Sequence, residues 1–168
     1  MIALLLALLV GNGATAQVRV EVRCVQKDCL TYGWEIANWT TGERREVQCI
    51  DGDCLTQGWI EIDHYGRPAV EVLCTAGSCF TEGFQGYSML NPGRDQWLFE
   101  SRCFSRSRDT ESDCLQFGWQ FRSRYGTSEA HCLEENCREK GWDLFTPQGP
   151  SRVRCKRNSC FEYGWDHW

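Results

Sequence analysis

Six times in this chain a cysteine is followed four residues later by glycine and five later by an aromatic residue: Cys29-Gly33-Trp34, Cys54-Gly58-Trp59, Cys79-Gly83-Phe84, Cys114-Gly118-Trp119, Cys137-Gly141-Trp142 and Cys160-Gly164-Trp165. Another cysteine precedes each copy, at Cys24, Cys49, Cys74, Cys103, Cys132 and Cys155, so all twelve cysteines fall into six pairs. The copies recur about every 25 residues, a period that marks an array of small units burying their apolar faces against one another. Apolar residues are spread evenly along the chain and form no long core segment.

The stretch from Met1 to Ala16 reads as a secretory signal, with an apolar run from Ile2 to Val10 and an Ala14-Thr15-Ala16 step. That run is too short to span a bilayer. The expectation is a secreted (or periplasmic) chain with one repeat domain over 17–168, its units centred on Cys24–Cys29, Cys49–Cys54, Cys74–Cys79, Cys103–Cys114, Cys132–Cys137 and Cys155–Cys160. An oxidising compartment keeps such cysteines as disulfides. Zinc ligands favour tighter and more uniform pairs. Here five pairs enclose four residues and the fourth encloses ten. No metal or cofactor is expected.

Each unit has a readable internal plan. The residue before the second cysteine is a good helix N-cap: Asp28, Asp53, Ser78, Asp113, Asn136 or Ser159. Ser159 with Glu162 has the form of a capping box. Glycine then falls where a one-turn helix needs a left-handed residue, and a Schellman ending would lay each Trp or Phe as a lid over its own disulfide. Upstream of each first cysteine the period is two, as in Val18, Val20, Val22 and Cys24, which predicts half-buried strands. Turn signals such as Thr41-Gly42 and Tyr65-Gly66 separate the strands. The fold expected is all-β: disulfide-stapled hairpins joined by cysteine knuckles.

Two questions stay open at this level. Pairing within units is favoured, because the fourth unit lengthens its knuckle (Phe104 to Asp113) while keeping both flanking frames. The rival scheme joins each unit to the next, for example Cys29 to Cys49. The array begins and ends on half a hairpin, so it forms either a closed ring or an elongated, solenoid-like array. A four-residue last strand, Trp165 to Trp168, favours the elongated form, and its free edge would permit head-to-tail filaments.

Composition excludes some functions. The net charge is −5 with no long basic block, so nucleic acid is not an expected partner. The three histidines, His64, His131 and His167, have no nucleophile or carboxylate at a recognisable motif spacing, and no catalytic residue is assigned. Binding is the better reading. Trp39, Tyr65, Tyr87, Tyr125 and Phe145 lie near predicted turns, with Arg44, Arg67, Arg94 and Arg124 close by. In stacked units they would form a row along one edge, suited to a glycan or protein surface, although cross-strand packing would also place aromatics there. Asn38-Trp39-Thr40 is a glycosylation acceptor sequence. The expected function is that of a non-catalytic extracellular structural or recognition protein, with a self-assembling fibre subunit and a secreted enzyme or inhibitor as alternatives.

Overall fold

A computed structural model describes residues 19–90, 97–106 and 112–168. The expected signal segment, Met1 to Ala16, and Arg94 lie outside these residues. Twelve antiparallel strands run up and down around one closed barrel. They are β1 (Val20–Cys24), β2 (Trp34–Asn38), β3 (Arg44–Cys49), β4 (Gly58–Ile62), β5 (Pro68–Cys74), β6 (Phe84–Ser88), β7 (Trp97–Cys103), β8 (Gly118–Ser123), β9 (Gly126–Cys132), β10 (Trp142–Thr146), β11 (Gly149–Cys155) and β12 (Trp165–His167). Cysteine knuckles join successive hairpins at one end of the barrel, and hairpin turns occupy the other.

All six disulfides form within units. The long fourth knuckle leaves its base unchanged: Cα atoms of Cys103 and Cys114 are 4.6 Å apart, against 4.5 Å for Cys24 and Cys29. In the five short knuckles the chain between the cysteines makes a tight turn with positive φ at two central residues, such as Gln26 (50°) and Lys27 (60°). The helical turn that follows is capped by the Asp28 carboxylate, which accepts from the amides of Leu30 and Thr31 at 3.0 and 3.1 Å. Asp53 and Asp113 do the same. The expected capping box at Ser159 does not form, since its side chain makes no cap bond.

Knuckles also bond to one another, which the sequence did not show. In the second to sixth units the amide of the second cysteine donates to the carbonyl one residue past the second cysteine of the unit before. Cys54 bonds to Leu30 at 2.9 Å and Cys114 to Phe80 at 2.8 Å, and the pattern runs through Cys160 to Arg138 at 2.9 Å. These five buried cysteine amides thereby find partners, and each bond fixes the angle between two successive units.

The glycines are required, but for a different reason than a left-handed helix end. Gly33 has φ 84° and ψ −158°, an extended conformation with positive φ. A Cβ there would lie 1.9 Å from the Val47 carbonyl oxygen on the adjacent strand, and at Gly58 it would lie 2.0 Å from that of Val72. The knuckle thus packs its backbone directly on its hairpin partner, where no side chain fits.

This contact explains closure. Gly164 meets the Val22 carbonyl of β1 as Gly33 meets that of Val47 in β3. β12 and β1 are therefore the two halves of a sixth hairpin, paired through Val20–His167, Glu21–Asp166 and Val22–Trp165. The favoured elongated array is thus corrected to a closed ring. The terminal strands proposed as a filament joint are used inside one chain. A three-residue strand suffices because it pairs with β11 as well as β1, and the docking of Gly164 on Val22 and the Lys156–Glu21 bond add to its ladder.

The residues after the glycines fill the barrel as a ring: Trp34, Trp59, Phe84, Trp119, Trp142 and Trp165, each at most 5% exposed. Trp34 lies 5.7 Å from Trp59 and 6.2 Å from Trp165, and Trp142 lies 5.2 Å from Trp119. Phe121 bridges the gap between Phe84 and Trp119 at 5.6 and 6.3 Å. Each aromatic stands opposite the first cysteine of its own unit in the ladder, and its ring also packs against its neighbours around the barrel. Phe80 and Phe161, from opposite units, meet edge to face at 5.7 Å and plug the knuckle end.

Towards the hairpin end the interior turns polar. Asn38, Glu61 and His167 are buried there, while Ser101 is buried nearer the knuckles, opposite Phe84 in the ladder. Burial pushes the Glu61 carboxyl up, opposed by the Arg45 charge and by the Trp59 indole N–H, which faces it without closing a full hydrogen bond. Burial pushes the His167 imidazole down to about 4. Its Nε2 meets the Ser151 hydroxyl at 2.8 Å.

Candidate functional site

Closure bends the expected row of hairpin aromatics into a circle around one end of the barrel. Trp39 and Tyr125 sit on the first and fourth hairpins, on opposite sides of the ring. Trp39 is 55% exposed, Tyr65 70%, Tyr125 68% and Phe145 49%. Tyr87 is half-buried, its hydroxyl bonded to Gln85 on the same strand. Arg67 lies over the Tyr65 ring at 4.9 Å and pairs with Asp63 at 2.9 Å, and the Arg124 guanidinium donates to the Trp97 carbonyl at 3.0 Å. Arg67 is thus committed within its own turn and Arg124 to the neighbouring strand β7.

Only Trp39 and Arg44 of the expected residues come together in a groove. It lies on the outer wall across β1 to β4, has a volume of about 340 Å³, and is closed on its far side by Ile62 and His64. Its cause is local. Three residues beyond the ring aromatic, each unit presents an outward residue: Ile62, Tyr87, Arg122, Phe145 and Trp168 in five units, and Ala37 in the first. Where the others stand up from the wall, Ala37 leaves a hollow floor, and Trp39 two residues on forms one wall.

Trp39 is held from behind. Its indole N–H donates to Glu21 Oε2 at 3.1 Å, and its backbone amide donates to the Arg19 carbonyl at 2.9 Å. Glu21 also accepts two bonds from Arg23, at 2.9 and 3.1 Å, and one from Lys156 Nζ at 2.6 Å. These partners, Arg23 foremost, hold its carboxyl down to about 2. Lys156 belongs to the sixth unit, so this chain of bonds ties the barrel seam to the groove wall. Nothing in the period-two pattern of β1 distinguished Glu21 from any solvent-facing charge.

Asp63 is lowered as well, by the Arg67 amide and guanidinium, so the displaced groove carboxyls, Glu21 and Asp63, move away from a general acid's range. The raised carboxyl, Glu61, faces the barrel interior. Among the described residues no three His, Cys, Asp or Glu side chains are grouped to hold a metal ion.

A second, shallower groove lies between β10 and β12, with Phe145 and Trp168 beside the Arg152–Asp143 pair, bonded at 2.7 Å. The glycosylation sequence is placed differently from its expected exposed turn. Asn38 is 4% exposed, its side-chain oxygen accepts the Thr40 and Thr41 amides, and its amide nitrogen is buried. A glycan cannot be carried there without displacing the barrel wall.

The fold defines a small, disulfide-stapled, closed β-barrel of six repeated units, and its many disulfides are consistent with an extracellular module. No protein-family model, curated protein or solved structure matches this chain.

Proposed function

We propose that this protein is a secreted, non-catalytic recognition module that binds through the Trp39 groove. The observation that carries the reading is the groove itself: an exposed tryptophan fixed in orientation by Glu21, beside Arg44, on a scaffold closed by six disulfides. Fixing the ring beforehand lowers the entropy lost on binding. A non-catalytic role is supported by the lowering of Glu21 and Asp63, which takes these two groove carboxyls away from a general acid's range. An aqueous rather than membrane-inserted setting is supported by the charged outer wall, where Glu35, Glu46, Arg102 and Arg154 are exposed and no apolar band stands as on a lipid-facing barrel.

The test uses labelled oxidised protein added to intact cells of its source. It should bind their surface saturably, and the double variant Trp39→Ala/Arg44→Ala should lose binding while melting within a few degrees of the parent. Undiminished binding by the double variant would remove the groove from the function.

A further inference from the structure

We infer that the groove takes a neutral saccharide, with one pyranose ring stacked on Trp39; this rests on the recognition reading above and names its ligand class. The first support is the platform. Trp39 is the exposed tryptophan in the groove, its ring edge is tied to Glu21, and its open face is left for a ligand. An indole face attracts the polarised C–H groups of a sugar ring, and a ring already held in place gains that contact without further ordering.

The second support is charge. The groove is lined by four carboxylates, from Glu21, Glu35, Glu46 and Asp63, and three guanidinium groups, from Arg23, Arg44 and Arg45. A polyanion would approach the four carboxylates, and a polycation the three guanidinium groups, so neither is favoured. A vicinal pair of hydroxyls suits both signs at once. Each hydroxyl donates to a carboxylate and accepts from a guanidinium, and both bonds are charge-assisted.

The third support is commitment. Glu21 and Asp63 are saturated by internal partners, whereas the side chains of Glu35 and Arg44 make no hydrogen bond or ion pair among the described residues. The groove thus holds one free acceptor and one free donor near a fixed aromatic face. Its volume of about 340 Å³ lies at the small end of small-molecule sites, enough for a short saccharide segment and too little for a folded partner. The Phe145–Trp168 groove is the internal contrast, because its Arg152 and Asp143 are already joined to each other.

The experiment is an amide NMR titration of the oxidised full chain with four probes: cello-oligosaccharide, chito-oligosaccharide, sulfated dextran and an oligo-lysine peptide. Saturable shifts at Ala37, Trp39 and Arg44 with a neutral oligosaccharide, little changed by added salt, support the inference. Trp39→Ala should then weaken binding about tenfold or more, and Trp168→Ala should leave it unchanged. Trp39→Phe, which keeps a smaller face, should fall between. Groove shifts produced only by sulfated dextran or oligo-lysine, and abolished by salt, would overturn the saccharide assignment and leave the recognition reading standing. Neutral-sugar shifts confined to Phe145 and Trp168 would overturn the assignment of this groove. A groove untouched by all four probes would overturn both readings.

Discussion

The two ends of the barrel are built from the same six units yet obey different rules. At the knuckle end every unit repeats a buried cysteine and a glycine pressed on a neighbouring carbonyl, and the second to sixth units add an amide bonded to the previous knuckle. At the hairpin end the outward residue changes from Ala37 to Ile62 to Tyr87, and the turns differ in length and sequence. Uniformity marks the end where backbone meets backbone and no alternative side chain fits. Variation marks the end free to acquire a specific surface, and the Trp39 groove runs from there along the outer wall.

If the contrast is right, substitutions should lose weight steadily from knuckle to hairpin. Gly58→Val is expected to be the most damaging. Its φ of 102° disfavours a β-branched residue, and the Cβ would stand 2.0 Å from the Val72 carbonyl oxygen. The cost should be about 4 kcal/mol or more, seen as failure to accumulate folded protein or a collapse of the melting temperature. A variant melting like the parent would break the glycine-docking account. Trp59→Ala should follow, at about 3–5 kcal/mol by denaturant unfolding, from a hole in the aromatic ring.

The polar interior near the hairpin end should respond to pH. His167 has a folded pKa of about 4 against 6.5 unperturbed, so the unfolded chain binds the proton first. Stability is full above pH 6.5 and falls as the pH drops towards 4, by up to about 3 kcal/mol. His167→Gln should flatten that part of the profile. Glu61 works in the opposite sense. Its raised pKa favours the folded state below the unfolded carboxyl pKa, an advantage lost as the pH rises through the folded value, so Glu61→Gln should stabilise at neutral pH. A Glu61→Gln protein less stable at pH 7 would show that Arg45 outweighs desolvation.

Smaller effects probe the comparison within one end and across it. Lys27 holds φ 60° where Gly52 and Gly77 stand in the second and third units. Lys27→Gly should therefore stabilise by about 1 kcal/mol, measured by chemical denaturation. Tyr125→Ala, at an exposed turn, should change stability by about 0.5 kcal/mol or less. A large loss there would favour structural packing over a free surface at the hairpin end.

The knuckle end was legible in the sequence and the hairpin end largely was not, for physical reasons. Cys103 and Cys114 revealed their pairing because an insertion lengthened the loop without disturbing its base. Trp34 and its counterparts announced burial, but their true neighbours lie in other units, and local spacing cannot report curvature. Closure depends on Gly164 reaching Val22 across the whole chain, a contact between residues 142 positions apart. Glu61 and His167 occupy inward positions where the alternation predicts apolar residues, so the polar interior was hidden by the very pattern that located the strands. Trp39 and Arg44 were among the candidates, but the groove that unites them depends on the small side chain of Ala37, which stands out only once the units are superposed.

Closure within one molecule underlies both the fold and the position of the groove, and solution scattering on the oxidised protein tests it most directly. A closed barrel of about 140 described residues should give a concentration-independent monomer with a radius of gyration of about 15 Å. An elongated particle with a clearly larger radius, or one that lengthens with concentration, would contradict the β1–β12 seam and with it the present account.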